Sequence, residues 1–299
     1  MRIVASASEM QQAALAWRAQ GRRIGFVPTM GNLHDGHLSL VRLAKQHADV
    51  VVVSIFVNPT QFGPNEDFAA YPRTFDADRA ACEAEGVDVV FFPPVAEMYP
   101  EGASVSLIET ALSRTLCGAA RPGHFAGVCT VVAKLFNVVL PHVAVFGEKD
   151  AQQLRVIRRM VRDLRFPVEI VSGPTARESD GLARSSRNQY LTAEQRPQAV
   201  CLRRALAEAE RRFAAGEREP RKLVAAMRDI IAQCPAAKID YVEIVDDETL
   251  QPLAGPIVRP ALAALAVWVG QPRLIDNAVL VPGSEISNLQ SQIFDSGSP

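Results

Sequence analysis

Along this chain, short apolar runs alternate with stretches whose apolar residues recur every three or four positions. That is the pattern of strands and amphipathic helices taken in turn. After a short helix over 8–19, Ile24 to Val27 is an apolar run stopped by Pro28, which predicts a first core strand ending there. Leu40, Val41 and Ala44 then fall at helical spacing, so a helix opens near Asp35 to His37. Val50 to Val57 is unbroken, as in a strand buried on both faces. A helix over 75–85 follows, then a strand over 87–92 stopped by Pro93-Pro94. Val128, Val131, Val132, Leu135, Phe136 and Val139 define one wide helical face, and 142–146 is the next strand. The helix after Gly147–Asp150 is expected to bury Leu154, Ile157, Val161 and Leu164 and to turn Arg155, Arg158, Arg159 and Arg162 mostly to water. Residues 168–171 make the fifth strand. Five alternations imply an α/β fold with a doubly wound parallel sheet, whose ligands bind beyond the carboxyl ends of the strands. Residues 28–37, the Asn58–Gln61 loop and Gly147–Asp150 all lie at such ends and are expected to converge.

After Pro174 the texture changes. Thr175 to Leu191 is polar and reads as a loop between domains. Leu202, Leu206, Ala209 and Phe213 mark one amphipathic helix, and Leu223, Met227, Ile230 and Ile231 a second. Strands over 239–245, 261–269 and 274–281 complete a smaller α+β domain. The expected division is 1–175, 176–283 and a frayed tail over 284–299.

Composition narrows the class. At 299 residues and 48% apolar, the chain can bury two cores. A net charge of −1 argues against a general nucleic-acid binder. Cys82, Cys117, Cys129, Cys201 and Cys234 are odd in number and widely spread, as in reduced thiols of a cytoplasmic protein. No apolar leader is expected at the N-terminus, and the apolar run over 261–269 is too short to cross a bilayer.

The chemistry concentrates in Pro28-Thr29-Met30-Gly31-Asn32-Leu33-His34-Asp35-Gly36-His37. Gly31 and Gly36 let the backbone approach a ligand, and a helix N-terminus with outward N–H groups would attract an anion. His34 and His37, three residues apart, can both donate to one phosphate. Half a zinc site is one competing reading, but no Cys or His cluster lies nearby in sequence to supply a third ligand, and a pair of ordinary surface histidines is the other. Lys149, in Gly147-Glu148-Lys149-Asp150, can act as a point charge on phosphates. Ala183-Arg184-Ser185-Ser186-Arg187-Asn188 offers hydroxyls and cations in six residues, as a phosphate clamp needs. Either could instead be a solvated turn or linker.

A strand, a proline, a glycine turn and His-x-Gly-His at a helix start resemble the nucleotidyltransferase superfamily. The shared segment 28–37 resembles, within it, the pantothenate synthetase (pantoate–β-alanine ligase) family. Tyr71-Pro72-Arg73-Thr74, Arg121-Pro122-Gly123-His124-Phe125 and Arg273-Leu274-Ile275-Asp276-Asn277 carry the resemblance across roughly 24–281. It implies a Rossmann-like first domain and an ATP-dependent ligase that joins pantoate to β-alanine through a pantoyl-adenylate. It also implies Mg²⁺ with the ATP and a cytoplasmic homodimer that binds neither membrane nor nucleic acid. The resemblance assigns ATP to Met30, Gly31, Asn32, Leu33, His34, Asp35, Gly36, His37, Gly147, Glu148, Lys149, Asp150, Ala176, Arg184, Ser185, Ser186 and Arg187. Catalysis falls to His34, His37 and Lys149. Gln61 would touch pantoate and β-alanine, and Gln153, one helical turn from Lys149, pantoate. Neutral amides can hold pantoate without pinning a carboxylate that must attack. Arg184 and Ala176 depart from the family's usual apolar residue and valine. A transferase acting on a phosphorylated acceptor would want a further basic cluster, and a non-catalytic nucleotide sensor would not need these histidines and this lysine.

Overall fold

The computed structural model describes residues 1–64 and 66–283. Residues 284–299, expected to fray, lie outside the described residues. The chain forms two compact units, Met1–Glu178 with Ala183–Ser186, and Ser179–Leu182 with the chain from Arg187 onward. Among the described residues, no helix is long and apolar enough to cross a membrane.

The first unit runs β1 (Arg2–Val4), α1 (Ala7–Ala19), β2 (Ile24–Thr29), α2 (Asp35–His47), β3 (Val50–Ile55), α3 (Phe75–Ala84), β4 (Val89–Phe91), α4 (Val95–Met98), α5 (Leu116–Ala120), α6 (His124–Val139), β5 (Val143–Gly147), α7 (Ala151–Asp163) and β6 (Glu169–Gly173). Its six strands are all parallel, in the order β1-β4-β3-β2-β5-β6. Leu40, Val41 and Ala44 of α2 pack with Val27, Val51, Val53, Val143 and Val145 on one face. On the other, Phe26 meets Phe136 of α6 edge to face at 6.4 Å. Burial on both faces is why β3 reads as an unbroken valine run.

The strand order turns back at β2. The chain steps from β2 outward to β3 and β4, then returns to β5 on the other side of β2 and steps outward to β6. A cleft opens at such a reversal because the connections leave the carboxyl ends in opposite directions. Pro28 marks it. The sequence pattern ends the strand at this residue, yet β2 continues through it to Thr29. The ladder to β5 stops at Phe26, whereas the ladder to β3 runs on to Thr29. The Thr29 carbonyl accepts from Phe56 N–H on the β3 side, so Pro28 turns its donorless nitrogen to the side where pairing has already ended.

β1 has no counterpart in the sequence reading, since three residues are too few to show a period. Leu164, expected in the core, is exposed because α7 ends at Asp163, and Val161 is half-buried.

The second unit holds α8 (Cys201–Ala214), α9 (Pro220–Ala232), β7 (Ala237–Asp246), β8 (Ala261–Val269) and β9 (Arg273–Leu280). The three strands are antiparallel in chain order. Leu202, Leu206 and Phe213 of α8 and Leu223, Met227 and Ile231 of α9 pack on alternate residues of β8, from Ala261 to Val269.

Candidate active site

His34 is the N-cap of α2, and its ring does the work a serine or aspartate usually does there. Its Nδ1 accepts from Gly36 N–H at 3.2 Å, while Nδ1 of His37 accepts from His34 N–H at 3.3 Å. The result is a capping box built from two imidazoles, with ring centroids 4.2 Å apart. A neutral imidazole has one acceptor nitrogen and one donor, so occupying both Nδ1 atoms places both protons on Nε2. Burial, then the Lys149 and Arg184 cations, lower the pKa of His34 to about 4. Burial, then His34 and Lys149, lower that of His37 to about 3. Near neutral pH the pair therefore offers two uncharged Nε2–H donors.

Several of the N–H groups expected to point outward from this turn have partners within the protein. Gly31 N–H goes to Thr29 Oγ1 at 3.2 Å, and His37 and Leu38 N–H go to the His34 carbonyl at 2.7 and 3.1 Å. Asn32 and Leu33 N–H go to the two carboxylate oxygens of Asp78 at 2.9 and 2.8 Å. Asp78, 2% exposed on α3, also accepts from Thr74 Oγ1 and so fixes a turn in which Gly31 and Asn32 have φ of 83° and 51°. A Cβ on Gly31 would sit 2.9 Å from Asp78 Oδ2, so only glycine fits.

Ala176 and Arg184 come to the same place. Arg184 N–H bonds the Ala176 carbonyl at 2.9 Å, beside an Arg177–Ala183 bridge. The Arg184 guanidinium pairs with Asp35 at 2.5 Å and with Glu178 at 3.4 Å. Gly36 lies so near that a Cβ there would be 3.3 Å from that of Ala176. The extra cation is thus partly neutralised by Asp35 at the start of α2 and by Glu178. Ser185 and Ser186 follow in the same unit, half-buried, whereas Arg187 belongs to the second unit.

Lys149 lies in the single turn Glu148–Asp150 that leaves β5, across the strand reversal from the His motif. Its Nζ is 3.5 Å from Asp150 Oδ2, and its charge acts on both histidines. Glu148 is exposed and accepts from Ser172 Oγ at 3.0 Å. Gln153 is half-buried on the first turn of α7. Its neighbour Gln152 is buried and structural, donating to the Leu112 and Thr115 carbonyls at 2.8 Å.

Gln61 stands beyond β3. Asn58, 1% exposed, donates to Gln61 Oε1 at 3.0 Å and is itself held by Tyr99 OH at 2.8 Å. With its oxygen so occupied, Gln61 turns its NH₂ toward Met30, with Nε2 3.1 Å from the sulfur. The structure thus joins the Gln61 loop to the His motif. Asp78 and Tyr99 are the participants that sequence reasoning missed, and Asn58 entered it only as part of the loop expected to converge. A lone acid on a polar helix and a tyrosine after α4 carry no local signal.

The family described as pantoate–β-alanine ligase matches residues 2–279. The pantothenate synthetase of Thermotoga neapolitana is 58% identical over 280 residues, covering 94% of this chain and all of that one. That of Acidobacterium capsulatum is 58% identical over 259 residues, 87% of this chain and 86% of its own. Among solved structures, pantothenate synthetase from Thermus thermophilus superposes with a TM-score of 0.89 at 47% identity, over 94% of this chain and 100% of that one. The pantoate–β-alanine ligase of Francisella tularensis, complexed with beta-gamma ATP and β-alanine, gives 0.77 at 35% identity, over 93% of this chain and 97% of that one. With the family match, the curated relatives and the solved structures in agreement, the chain belongs to the pantoate–β-alanine ligase family.

Proposed function

We propose that this carbon–nitrogen ligase activates pantoate on ATP within the first unit and then passes the acyl group to β-alanine. A pantoate carboxylate oxygen attacks the α-phosphorus, and the bond to the bridging oxygen breaks. Pyrophosphate leaves with the electron pair. The neutral amine of β-alanine then attacks the acyl carbon, loses a proton, and displaces AMP.

One observation carries this reading: two neutral imidazoles, both keeping Nε2–H as the donor, stand at the strand reversal within the field of Lys149. Charge builds on the α-phosphate oxygens in the transition state, and preorganised donors there are the main catalytic resource. Lys149, with Ser185 and Ser186, draws on the departing phosphates, and Gln61 and Gln153 hold pantoate, Gln61 also meeting β-alanine. Among the described residues no group of three His, Cys, Asp or Glu side chains could hold a metal. Magnesium suits this donor set as a partner of ATP's own phosphates, since it keeps waters and needs few protein ligands. There it would neutralise charge on the leaving group.

The test is exchange of labelled pyrophosphate into ATP with each component omitted in turn. Exchange should require pantoate and Mg²⁺ but not β-alanine, and Gln153→Ala should reduce it. Exchange without pantoate, or only with β-alanine present, would contradict activation before amine attack. A second copy is proposed to pair with the first unit. Val105 and Ile108, 81% and 69% exposed on a stretch outside any helix or strand, give it an apolar edge. Sedimentation should report twice the chain mass, and a single-chain mass would remove the pairing.

A further inference from the structure

Gln61 is held by its main chain as well as by its side-chain amide. Its carbonyl meets Nδ1 of His124 at 2.9 Å. A carbonyl only accepts, so His124 carries its proton on Nδ1, the opposite tautomer to His34 and His37. Nε2 is left as the acceptor and faces Arg121 Nη1 at 3.1 Å. Arg121 in turn grips Glu66 with two bonds of 2.6 Å, Nε to Oε1 and Nη2 to Oε2. The pair is mostly shielded, with side chains 17% and 26% exposed. Burial, then the Arg121 charge, holds His124 neutral with a pKa lowered to about 4.

The start of α6 comes this close because Gly127 permits it. A Cβ there would lie 2.4 Å from the Thr60 carbonyl oxygen and 2.7 Å from Gln61 Cα. Glu66, Arg121, His124 and Gln61 therefore form one network of directed bonds, in which the Gln61 carbonyl accepts chiefly from His124 and, at 3.5 Å, from Arg121 Nη2.

We infer that Glu66, Arg121 and His124 are a positioning relay that sets the Gln61 main chain and, through it, the amide that meets pantoate. This rests on the reading of Gln61 as a pantoate contact. Asn58 fixes which way the amide faces, whereas the relay fixes where the residue stands. Displacing a substrate-holding group by about 1 Å can cost ~10²-fold, so a loosened relay acts on pantoate while sparing ATP.

The test measures KM for pantoate and for ATP, and kcat, in His124→Phe, His124→Asn, Gln61→Ala and the double variant His124→Phe/Gln61→Ala, with thermal denaturation to establish folding. Phenylalanine keeps the ring and its packing but has no donor, while the asparagine amide puts an N–H where Nδ1 was. His124→Phe should raise pantoate KM by about ten-fold or more, with ATP KM unchanged within about two-fold. His124→Asn should recover most of that loss, and adding His124→Phe to Gln61→Ala should cost little more. Equal rises in both KM values, no rise in either, or an asparagine variant no better than phenylalanine would overturn the relay. Gln61→Ala with a normal pantoate KM would overturn the substrate reading instead, and the relay with it.

Discussion

His37→Ala should yield a folded protein that forms the adenylate about 10²–10³-fold more slowly, the usual loss for one preorganised donor. Two things disappear with the ring. One is the Nε2–H proposed to serve the α-phosphate, and the other is the Nδ1 acceptor that takes His34 N–H at 3.3 Å. The second loss concerns the helix cap and costs about 1 kcal/mol, small beside the stability of the unit. The first acts only when charge develops and so falls on the rate. His37→Gln should retain more activity than alanine, because its terminal amide reaches about as far as Nε2 and can still donate. Single-turnover release of AMP, read against thermal denaturation, separates the two effects. Near-normal turnover in a folded His37→Ala protein would remove the histidine from the mechanism.

Lys149→Ala is the other large loss, on the order of 10²-fold in adenylate formation, with Lys149→Arg between it and the parent. Lysine presents a compact charge, whereas arginine presents a wider, planar and more weakly hydrated one. The arginine can still attract phosphates but must fit a single turn between β5 and α7. Removing the charge also removes one of the influences that lower both histidine pKa values. Steady-state kinetics of the two variants at saturating ATP would show the order. An alanine variant as active as the parent would exclude the lysine from the reaction.

The parts of this site that could be read along the chain are those whose partners are close in sequence. His34 and His37 cap one helix within three residues, so their spacing was enough to pair them. Lys149 was legible by its place after a strand. The fate of the main-chain donors was not, because Asn32 and Leu33 give their N–H groups to Asp78, more than forty residues away. A turn that reads as an open anion nest is therefore closed over Asn32 and Leu33 by a buried carboxylate. Pro28 misled for a related reason: whether a proline ends a strand depends on which neighbour its nitrogen faces, and that is set by the sheet order. Leu164 kept the helical period of α7 but lies just past the end of the helix, where the period no longer implies burial.

In the proposed reaction a pantoate oxygen becomes bonded to the α-phosphorus of ATP. Turnover with pantoate labelled by ¹⁸O in both carboxylate oxygens tests it most directly, with AMP and pantothenate analysed by mass spectrometry. The account predicts one labelled oxygen in AMP and one in the new amide. Label absent from AMP, or appearing in inorganic phosphate instead, would contradict it.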